Sequence, residues 1–402
     1  MSSIKKFAYY LKKSGLRQTM KLVFSFIWAK LRYVWYKTCA KLFSGGKIKA
    51  AAEKTAGKTV MVFTPSVEWF FLFQRAQQMA HSYAEQGAAV IFLTTQRQYD
   101  SFSGIKEVEE NVFLVNENLA CRVDDICRNA EKVVTCVYNI AGIPVSKQYH
   151  SDLLEYEYVD DISVTVSGAA DLDAAVKVHE EIMESADLVV ATAKKLYDEA
   201  EKKCKKVIFS PNAADYEFFS APAEKNAEYA DLQHKYSCVL GYYGALASWF
   251  DYDIVRAVAE AHPDWCWLLI GKKIDNDMER SKIEKLPNVI YVPAVPYTEL
   301  PGYIACCDIM TIPFVINEIT EATSPVKLFE YMAAGKPIIT SDMNECRNYD
   351  SVHIYKDADS FTALAQLALI ERSSVEYMEL LKKEASENTW HSRAKAVLEE
   401  IK

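Results

Sequence analysis

Short apolar runs alternate with amphipathic stretches along most of the chain after residue 58. The apolar runs are rich in Val, Ile and Leu, which is typical of strands buried on both faces of a parallel sheet. The stretches between them repeat apolar residues three and four positions apart, as helices packed on such a sheet do. The predicted strands are 59–63, 88–93, 112–115, 133–138, 155–159, 188–191 and 207–210, and then 238–243, 266–270, 289–292, 309–312, 337–340 and 353–355.

These strands form two series, separated by the polar stretch 221–233. Each series predicts a doubly wound, mostly parallel sheet with helices on both faces, so the fold class is α/β with two Rossmann-like domains. Such sheets bind ligands at the carboxyl ends of their strands, which predicts two domains facing across a cleft. We expect an N-terminal domain over 51–222, a C-terminal domain over 234–386 and a final helix within 387–402.

The first 50 residues predict a basic amphipathic helical arm. Residues 1–58 hold fourteen Lys or Arg and one acid, Glu53, although the whole chain has a net charge of −9. Either an anionic membrane surface contacted through residues 1–45, or packing on the protein itself or on a partner subunit, explains such an arm. Its apolar stripe consists of Met20, Phe24, Ile27, Leu31, Val34 and Trp35, preceded by Ile4, Phe7 and Leu11.

Charge and cysteine usage exclude several classes of function. The body after residue 58 is strongly acidic, which argues against nucleic-acid binding. Ten cysteines form no C-x-x-C pair and predict reduced thiols in the cytoplasm. Lysines interrupt the apolar runs near the N terminus, so neither a secretory signal nor a transmembrane helix is expected. The Asp-x-Asp triplets at 171, 251 and 275 are attributed to chance in so acidic a chain, with Asp251 as a helix cap, and His179 with Glu180 and Glu181 is expected on a solvated helix face. The remaining histidines have no metal-site spacing, so no metal or cofactor is expected.

The segment 324–337 carries the most informative helix signals. Ser324 is a good N-cap, and Pro325 suits the first helical position, where no N–H is needed. Gly335 suits the end of the helix. Because this helix follows a strand, its first N–H groups are predicted to face the cleft, where they would favour an anion.

Two charged side chains extend this prediction. Lys327 lies in the first turn, against the usual preference for acids there, and a phosphate in front of the helix explains it. Glu330 lies three residues further on the same face, and its two oxygens could accept both hydroxyls of a ribose. The alternative is a solvated Lys–Glu pair on an ordinary helix.

The segment resembles the donor-binding signature of family 4 glycosyltransferases and their GT-B relatives, P-x-K-x-x-E-x-x-A-x-G-x-P. The likeness covers most of residues 59–402. Further motifs that resemble this family lie at 65–69, 74–75, 158–161, 210–215, 241–246, 268–271, 307–314 and 390–394. The segments in the N-terminal half look like a subset of bacterial polysaccharide and cell-envelope transferases.

The resemblance implies a metal-independent GT-B glycosyltransferase in cell-surface glycan synthesis. Its donor would be a nucleotide-diphosphate sugar, with UDP favoured, and its acceptor a membrane-associated or polysaccharide glycan, with retention of the anomeric configuration. The C-terminal domain would bind the donor, the N-terminal domain the acceptor, and the final helix would cross back to the N-terminal domain. The implied location is cytoplasmic, peripheral on the inner face of the cell membrane.

Carried over by position, the resemblance implies specific site residues. Fixed positive charge from Lys327 would stabilise the departing diphosphate, and Glu330 would hold the ribose. The implied donor contacts are Gly244, Ala245, Lys272, Ser324, Pro325, Val326, Lys327, Leu328 and Glu330. The catalytic candidates are Asp161, Glu321 and Lys327, and the acceptor candidates are Pro65, Glu68, Trp69 and Arg75.

The sequence departs from the family pattern at three places. Ala322 stands where the family often has a glutamate near the sugar, and Glu321 is the candidate to replace it. Residues 248–251 lack the usual basic residue, for which Lys272 or Lys273 could compensate. A histidine near the reacting carbon is missing, and Asp161 is the candidate for its role, or else a structural residue. These departures favour one alternative function, a catalytically weak GT-B scaffold in a polysaccharide-synthesis complex. A GT-B sugar-nucleotide epimerase is a further alternative.

Overall fold

The computed structural model describes residues 44–402 except 72, 97, 98, 103 and 163–171, together with 16–21, 23–25, 27, 28, 30–32, 34, 35 and 38. By compactness the chain divides into two units, Met1–Glu155 and Tyr156–Lys402. The predicted domain boundaries, which follow the two series of strands, stay a prediction.

The first unit alternates strands and helices from residue 45 onward. Its strands are β1 (Thr59–Phe63), β2 (Ala89–Thr94), β3 (Ile105–Glu109), β4 (Val112–Asn116), β5 (Lys132–Val137) and β6 (Leu153–Tyr158), which crosses the unit boundary. Its helices are α1 (Gly45–Thr55), α2 (Arg75–Glu85), α3 (Val123–Cys127) and α4 (Ile143–Ser146). β3 was missed from the sequence because its central residues are charged and exposed, as in an edge strand.

These strands belong to one eight-stranded sheet of the described chain, in the order β3-β4-β2-β1-β5-β6-β7-β8. β1 pairs in parallel with both β2 and β5, whereas the edge strand β3 pairs antiparallel with β4. The strand order reverses between β1 and β5. In open α/β sheets, ligands bind beside such a reversal at the carboxyl ends of the strands.

The second unit continues with two strands and then builds a second sheet. Its strands are β7 (Leu188–Ala191), β8 (Val207–Phe209), β9 (Cys238–Tyr243), β10 (Trp265–Ile270), β11 (Val289–Val292), β12 (Ile309–Ile312), β13 (Ile338–Thr340) and β14 (Val352–Ile354). Its helices are α5 (Leu172–Ser185), α6 (Lys194–Ala200), α7 (Tyr216–Ser220), α8 (Leu232–Lys235), α9 (Tyr252–Ala261), α10 (Asp277–Ser281), α11 (Leu300–Ala305), α12 (Glu318–Glu321), α13 (Val326–Ala333), α14 (Ala358–Glu371), α15 (Val375–Glu387) and α16 (Trp390–Glu400).

The second sheet has six strands in the described chain, in the order β11-β10-β9-β12-β13-β14. All of its pairs are parallel. This is the doubly wound order whose reversal falls between β9 and β12. β9 and β10 are buried along their whole length, which explains why their sequences are nearly continuous apolar runs. The predicted fold class, two parallel-sheet α/β domains, is confirmed.

The arm is described in part. The described residues between 16 and 38 are helical, and eight of their large apolar side chains are 38–69% exposed. They are Leu16, Met20, Phe24, Ile27, Trp28, Leu31, Val34 and Trp35. The first part of the predicted stripe, Ile4, Phe7 and Leu11, lies outside the described residues. Within the described part of the chain, no helix has the length and apolar character needed to cross a membrane.

Candidate active site

Helix α13 lies on the second sheet with a buried inner face. Leu328, Phe329 and Tyr331 are buried in the core of this sheet. Pro325 occupies the N-cap position with an extended backbone, so the helix begins at Val326, one residue later than predicted. A helix supplies no acceptor for the N–H groups of its first residues, which leaves those of Val326 and Lys327 directed out of the helix end.

Ser324 was predicted as the N-cap of this helix, and this assignment is wrong. Its hydroxyl accepts a hydrogen bond from the N–H of Asn212 at 3.1 Å, and its carbonyl accepts one from the Asn212 side-chain amide at 2.6 Å. Both residues are buried. The turn at 210–215, which matched a family motif, is therefore bonded to the residue that precedes α13.

Two glycines end the neighbouring strands β9 and β10. Gly244 (φ +140°) and Gly271 (φ +151°) both have backbone conformations that L side chains rarely adopt. The N–H of Gly244 donates to the carbonyl of Ile270 at 2.9 Å. A Cβ on Gly271 would lie 1.8 Å from the carbonyl oxygen of Gly244, so only glycine fits this crossing.

Lys327 lies against the first of these glycines. A Cβ on Gly244 would be 3.1 Å from Cε of Lys327 and 3.4 Å from its Nζ. The loop after β9 and the first turn of α13 therefore meet beside the reversal point of the second sheet. This is the position at which a doubly wound sheet binds its ligand.

The Lys327 ammonium lies over two aromatic rings. Its Nζ is 5.6 Å from the ring centre of Tyr242 and 5.1 Å from that of Phe314. Burial lowers the pKa of Lys327 from its ordinary 10.5 to about 8, although nearby Glu330 acts in the opposite direction. A charged lysine is thus held where little water solvates it, and an anion placed there would interact with it strongly.

Glu330 is 4% exposed, and each of its carboxylate oxygens already has a partner. Oε2 accepts a hydrogen bond from the Tyr243 hydroxyl at 2.5 Å, and Oε1 accepts one from the Tyr297 hydroxyl at 2.9 Å. Burial raises the pKa of Glu330, whereas these two hydrogen bonds and Lys327 act to lower it. Neither tyrosine was found from the sequence, because both are distant from Glu330 along the chain.

The remaining donor candidates differ in burial and in the hydrogen bonds and ion pairs that they already make. The carbonyl of Ala245 accepts a hydrogen bond from the Tyr242 hydroxyl at 2.8 Å. Lys272 is exposed, and its carbonyl accepts a hydrogen bond from the N–H of Leu246. Lys273, the alternative cation, pairs with Glu284 at 2.6 Å. Leu328 has a fully buried side chain and donates its N–H to the carbonyl of Pro325.

The other catalytic candidates have structural partners of their own. The carboxylate of Asp161 pairs with Lys195 of α6 at 3.1 Å. Glu321 ends the short helix α12, and its carbonyl accepts a hydrogen bond from the Asn344 side chain at 3.5 Å. Ala322, at the position of the missing family glutamate, is buried. The catalytic roles of Asp161 and Glu321 stay predictions.

In the first unit, a cavity of about 460 Å³ lies beside the reversal of the first sheet. It is lined by residues that follow β1, β2, β4 and β5, namely Pro65, Ser66, Val67, Glu68, Phe71, Thr95, Tyr99, Glu117, Asn139, Ala141 and Val145. Pro65 and Glu68, two of the acceptor candidates, are among them. Glu68 also accepts a hydrogen bond from the N–H of Tyr99 at 2.6 Å, which joins the loops after β1 and β2.

Two acceptor candidates are not on the surface of this cavity. Trp69 is 5% exposed, and its ring meets Phe92 edge to face with 5.1 Å between centroids. Arg75, the first residue of α2, is 4% exposed. Large amphipathic side chains are equally suited to binding and to packing, and both of these are buried. Phe71 and Tyr99, whose rings are 4.6 Å apart, are the cavity aromatics that sequence reasoning missed.

The acidic and histidine clusters behave as structural features. Asp251 caps α9 by accepting hydrogen bonds from two backbone N–H groups, as the sequence suggested. His179, taken for part of a solvated helix face, is instead buried and bonded to the Tyr156 hydroxyl at 2.8 Å. Among the described residues, no three His, Cys, Asp or Glu side chains are grouped to hold a metal ion.

Comparison with solved protein structures identifies the fold. A sucrose-phosphate synthase from Thermosynechococcus elongatus is similar in structure, with a TM-score of 0.62 at 14% identity over 86% of this chain and 98% of that one. HepE of Anabaena, solved in complex with UDP and glucose, has a TM-score of 0.59 at 12% identity over 86% and 99%. The fold is therefore GT-B.

The sequence comparisons narrow this class. Residues 239–369 match the family model described as "Glycosyl transferases group 1", so the chain contains a glycosyltransferase group 1 domain. This range includes Gly244, Gly271, Lys327 and Glu330. The chain is also 27% identical over 271 residues to the "Putative teichuronic acid biosynthesis glycosyltransferase TuaH" of Bacillus subtilis, covering 63% of this chain and 68% of that protein.

Proposed function

We propose that this glycosyltransferase transfers a sugar from a nucleoside-diphosphate sugar, with UDP the favoured nucleotide, to a glycan acceptor in cell-envelope polysaccharide synthesis. The observation that carries the proposal is the position of Lys327 against Gly244, at the first turn of α13. The similarity to a protein named for teichuronic acid biosynthesis and the fold shared with a UDP complex support it.

The proposed chemistry is stabilisation of the leaving group. As the bond from the sugar to the diphosphate breaks, negative charge grows on the diphosphate. A fixed cation and backbone N–H groups stabilise this charge more in the transition state than in the bound substrate, which lowers the barrier. Lys327 and the N–H groups of Val326 and Lys327 supply these donors, while Glu330 accepts the ribose hydroxyls. Retention of the anomeric configuration is proposed on the resemblance to family 4 alone.

We assign the acceptor to the cavity of the first unit. Its wall combines aromatic rings at Phe71 and Tyr99 with carboxylate and amide groups at Glu68, Glu117 and Asn139. Aromatic faces and hydrogen-bonding side chains together are suited to a sugar ring, which has apolar C–H faces and hydroxyl edges. In this proposal Trp69 and Arg75 hold the loop in place and do not touch the acceptor.

A ligand screen tests the proposed function. UDP, GDP, ADP and dTDP are each added to the full-length protein, with and without EDTA, and the melting temperature is measured. At least one nucleoside diphosphate, UDP first, is expected to raise the melting temperature by several degrees in both conditions, because ligands of the folded state stabilise it. If none of them does so, the chain is no donor-binding enzyme and the scaffold alternative gains support.

We also propose that the arm attaches the protein to the cytoplasmic face of an anionic membrane. In the described helical part, Phe24, Trp28 and Trp35 are each more than 60% exposed, and Arg17 and Lys21 are exposed as well. Exposed aromatic side chains insert at the headgroup level, and basic residues add electrostatic attraction to anionic lipids.

Removing the apolar part of the arm should release the protein from membranes. The triple variant Phe24→Ser, Trp28→Ser, Trp35→Ser is expected to lower partitioning onto phosphatidylglycerol vesicles at least about tenfold in a sedimentation assay. The matched control is Ile370→Ser, Val375→Ser, which removes two equally exposed apolar side chains from the second unit. Equal partitioning of the wild type and the triple variant would mean that the arm is not the anchor.

A further inference from the structure

The carboxylate of Glu330 is held between two phenols from separate parts of the second unit. Tyr243 is the last residue of β9, and Tyr297 lies in the turn before α11. Each hydroxyl donates to a different carboxylate oxygen, Tyr243 to Oε2 and Tyr297 to Oε1. Glu330 itself projects from α13, so three elements converge on one buried carboxylate.

Both phenols are fixed by their own surroundings. The ring of Tyr297 stacks on Phe218, with 5.4 Å between centroids and 14° between planes, and meets Phe219 edge to face. Tyr243 is buried, and its N–H donates to the Tyr331 hydroxyl at 3.3 Å. Hydrogen bonds from two well-packed phenols restrict rotation of the carboxylate about its terminal bond.

The number of acceptor positions decides what remains for a ligand. An ionised carboxylate has about four lone-pair positions, two on each oxygen. The two phenols occupy one position on each oxygen, which leaves one on each. Two free positions about one carboxylate's width apart match the 2′- and 3′-hydroxyls of a ribose, which are neighbours on one ring.

The phenols also favour the ionised form of this acceptor. Burial alone would favour the protonated acid, which offers one donor and fewer acceptor positions. Hydrogen bonds donated to the carboxylate oppose that effect. Tyr243 and Tyr297, together with Lys327 one turn away, are the groups facing Glu330 that act in this direction.

We propose that Tyr243 and Tyr297 are positioning residues that fix the Glu330 carboxylate so that the enzyme selects a ribose over a 2′-deoxyribose in its nucleotide. The proposal rests on the proposed function, because it deepens the nucleotide site assigned there. It adds that the phenol pair, and not the carboxylate by itself, sets the selectivity. A 2′-deoxynucleotide leaves one oriented acceptor position unfilled, and an unpaired buried acceptor is costly.

The test compares affinities for UDP, ADP and GDP with those for their 2′-deoxy counterparts by isothermal titration calorimetry. The wild type should prefer the ribonucleotide about 10- to 100-fold. Tyr297→Phe should reduce this preference to about two- to threefold. The change should come mainly from weaker binding of the ribonucleotide, because the deoxynucleotide has no 2′-hydroxyl to use the acceptor position that Tyr297 orients. Tyr243→Phe should shift the preference in the same direction.

Tyr377→Phe is the matched control. Its hydroxyl donates to the backbone carbonyl of Ser351 at 2.7 Å, in a buried contact of the same unit that involves no group of the nucleotide site. This variant should keep the wild-type preference.

The outcomes separate this proposal from the function beneath it. A preference unchanged in Tyr297→Phe, with both affinities lowered together, would make the phenols merely structural and overturn the proposal. Tighter binding of both nucleotides would show that Tyr297 obstructs the site, which also overturns it. If the wild type binds none of the diphosphates, the proposed function falls and this proposal with it.

Discussion

Replacing Lys327 with alanine is expected to abolish sugar transfer and to weaken binding of the nucleoside diphosphate about 100-fold or more. Removing one preorganised donor to a developing oxyanion costs about 10²–10³ in turnover, and here a full charge at a poorly solvated position is lost. Binding is measured by calorimetry and turnover by release of the nucleoside diphosphate from the donor sugar.

Lys336→Ala is the control for this variant. Lys336 is another lysine whose pKa burial lowers, and its Nζ donates to the carbonyl of Cys307 at 2.6 Å. Its loss should reduce stability without changing nucleotide affinity. If Lys327→Ala keeps wild-type turnover, the assignment of the donor site is wrong.

The lowered pKa of Lys327 adds a pH dependence to the same prediction. With a pKa of about 8, the ammonium is mostly protonated at pH 7 and mostly neutral at pH 9. If only the ammonium binds the diphosphate, affinity should fall about tenfold as the pH rises across this range. In Lys327→Arg the cation does not titrate, so this decrease should disappear. If affinity decreased equally in the wild type and in Lys327→Arg, a titrating group other than Lys327 would be responsible for the pH dependence.

Replacing Gly271 with alanine is expected to destabilise the second unit and to remove nucleotide binding. The new Cβ would lie 1.8 Å from the carbonyl oxygen of Gly244, a distance that no side-chain adjustment relieves because the obstructing atom is backbone. The loop after β9 must therefore move, and Gly244 with it. We expect a loss of about 3 kcal/mol or more in unfolding free energy, measured by denaturant titration.

Gly57→Ala is the control that distinguishes the cost of a positive φ from the cost of the steric clash at Gly271. Gly57 also has a positive φ, +69°, but a Cβ there would meet no atom within 4 Å. This variant should lose only about 1–2 kcal/mol, the cost of the left-handed backbone alone, and should bind nucleotide normally. Equal losses in the two variants would mean that the close contact between Gly271 and Gly244 does not account for the lost stability.

The sequence predicted those features of the fold that depend on local pattern. Continuous apolar runs identified β9 and β10, because strands buried on both faces leave no polar position. The helix at 326–333 followed from Pro325 and Gly335, which restrict the backbone locally. Its start was misplaced by one residue because Ser324 bonds to Asn212, and no local signal reveals a partner 112 residues away.

The candidate site was predictable only in part for the same reason. Lys327 and Glu330 could be found because they share one helix turn and match a family motif. Tyr243 and Tyr297 could not be found, since only the fold brings them to Glu330. The burial of Trp69 and His179 could not be predicted, because a side chain that is both polar and large gives no sign in the sequence of whether it faces solvent or core.

A crystal structure of the protein with a bound nucleoside diphosphate decides whether Lys327 and Glu330 form the donor site. Diphosphate oxygens are expected within hydrogen-bonding distance of Lys327 Nζ and the N–H of Val326, beside Gly244, with the ribose hydroxyls on Glu330. A well-ordered nucleotide bound elsewhere on the chain, with Lys327 and Glu330 making no contact to it, would show that the donor site is wrongly assigned.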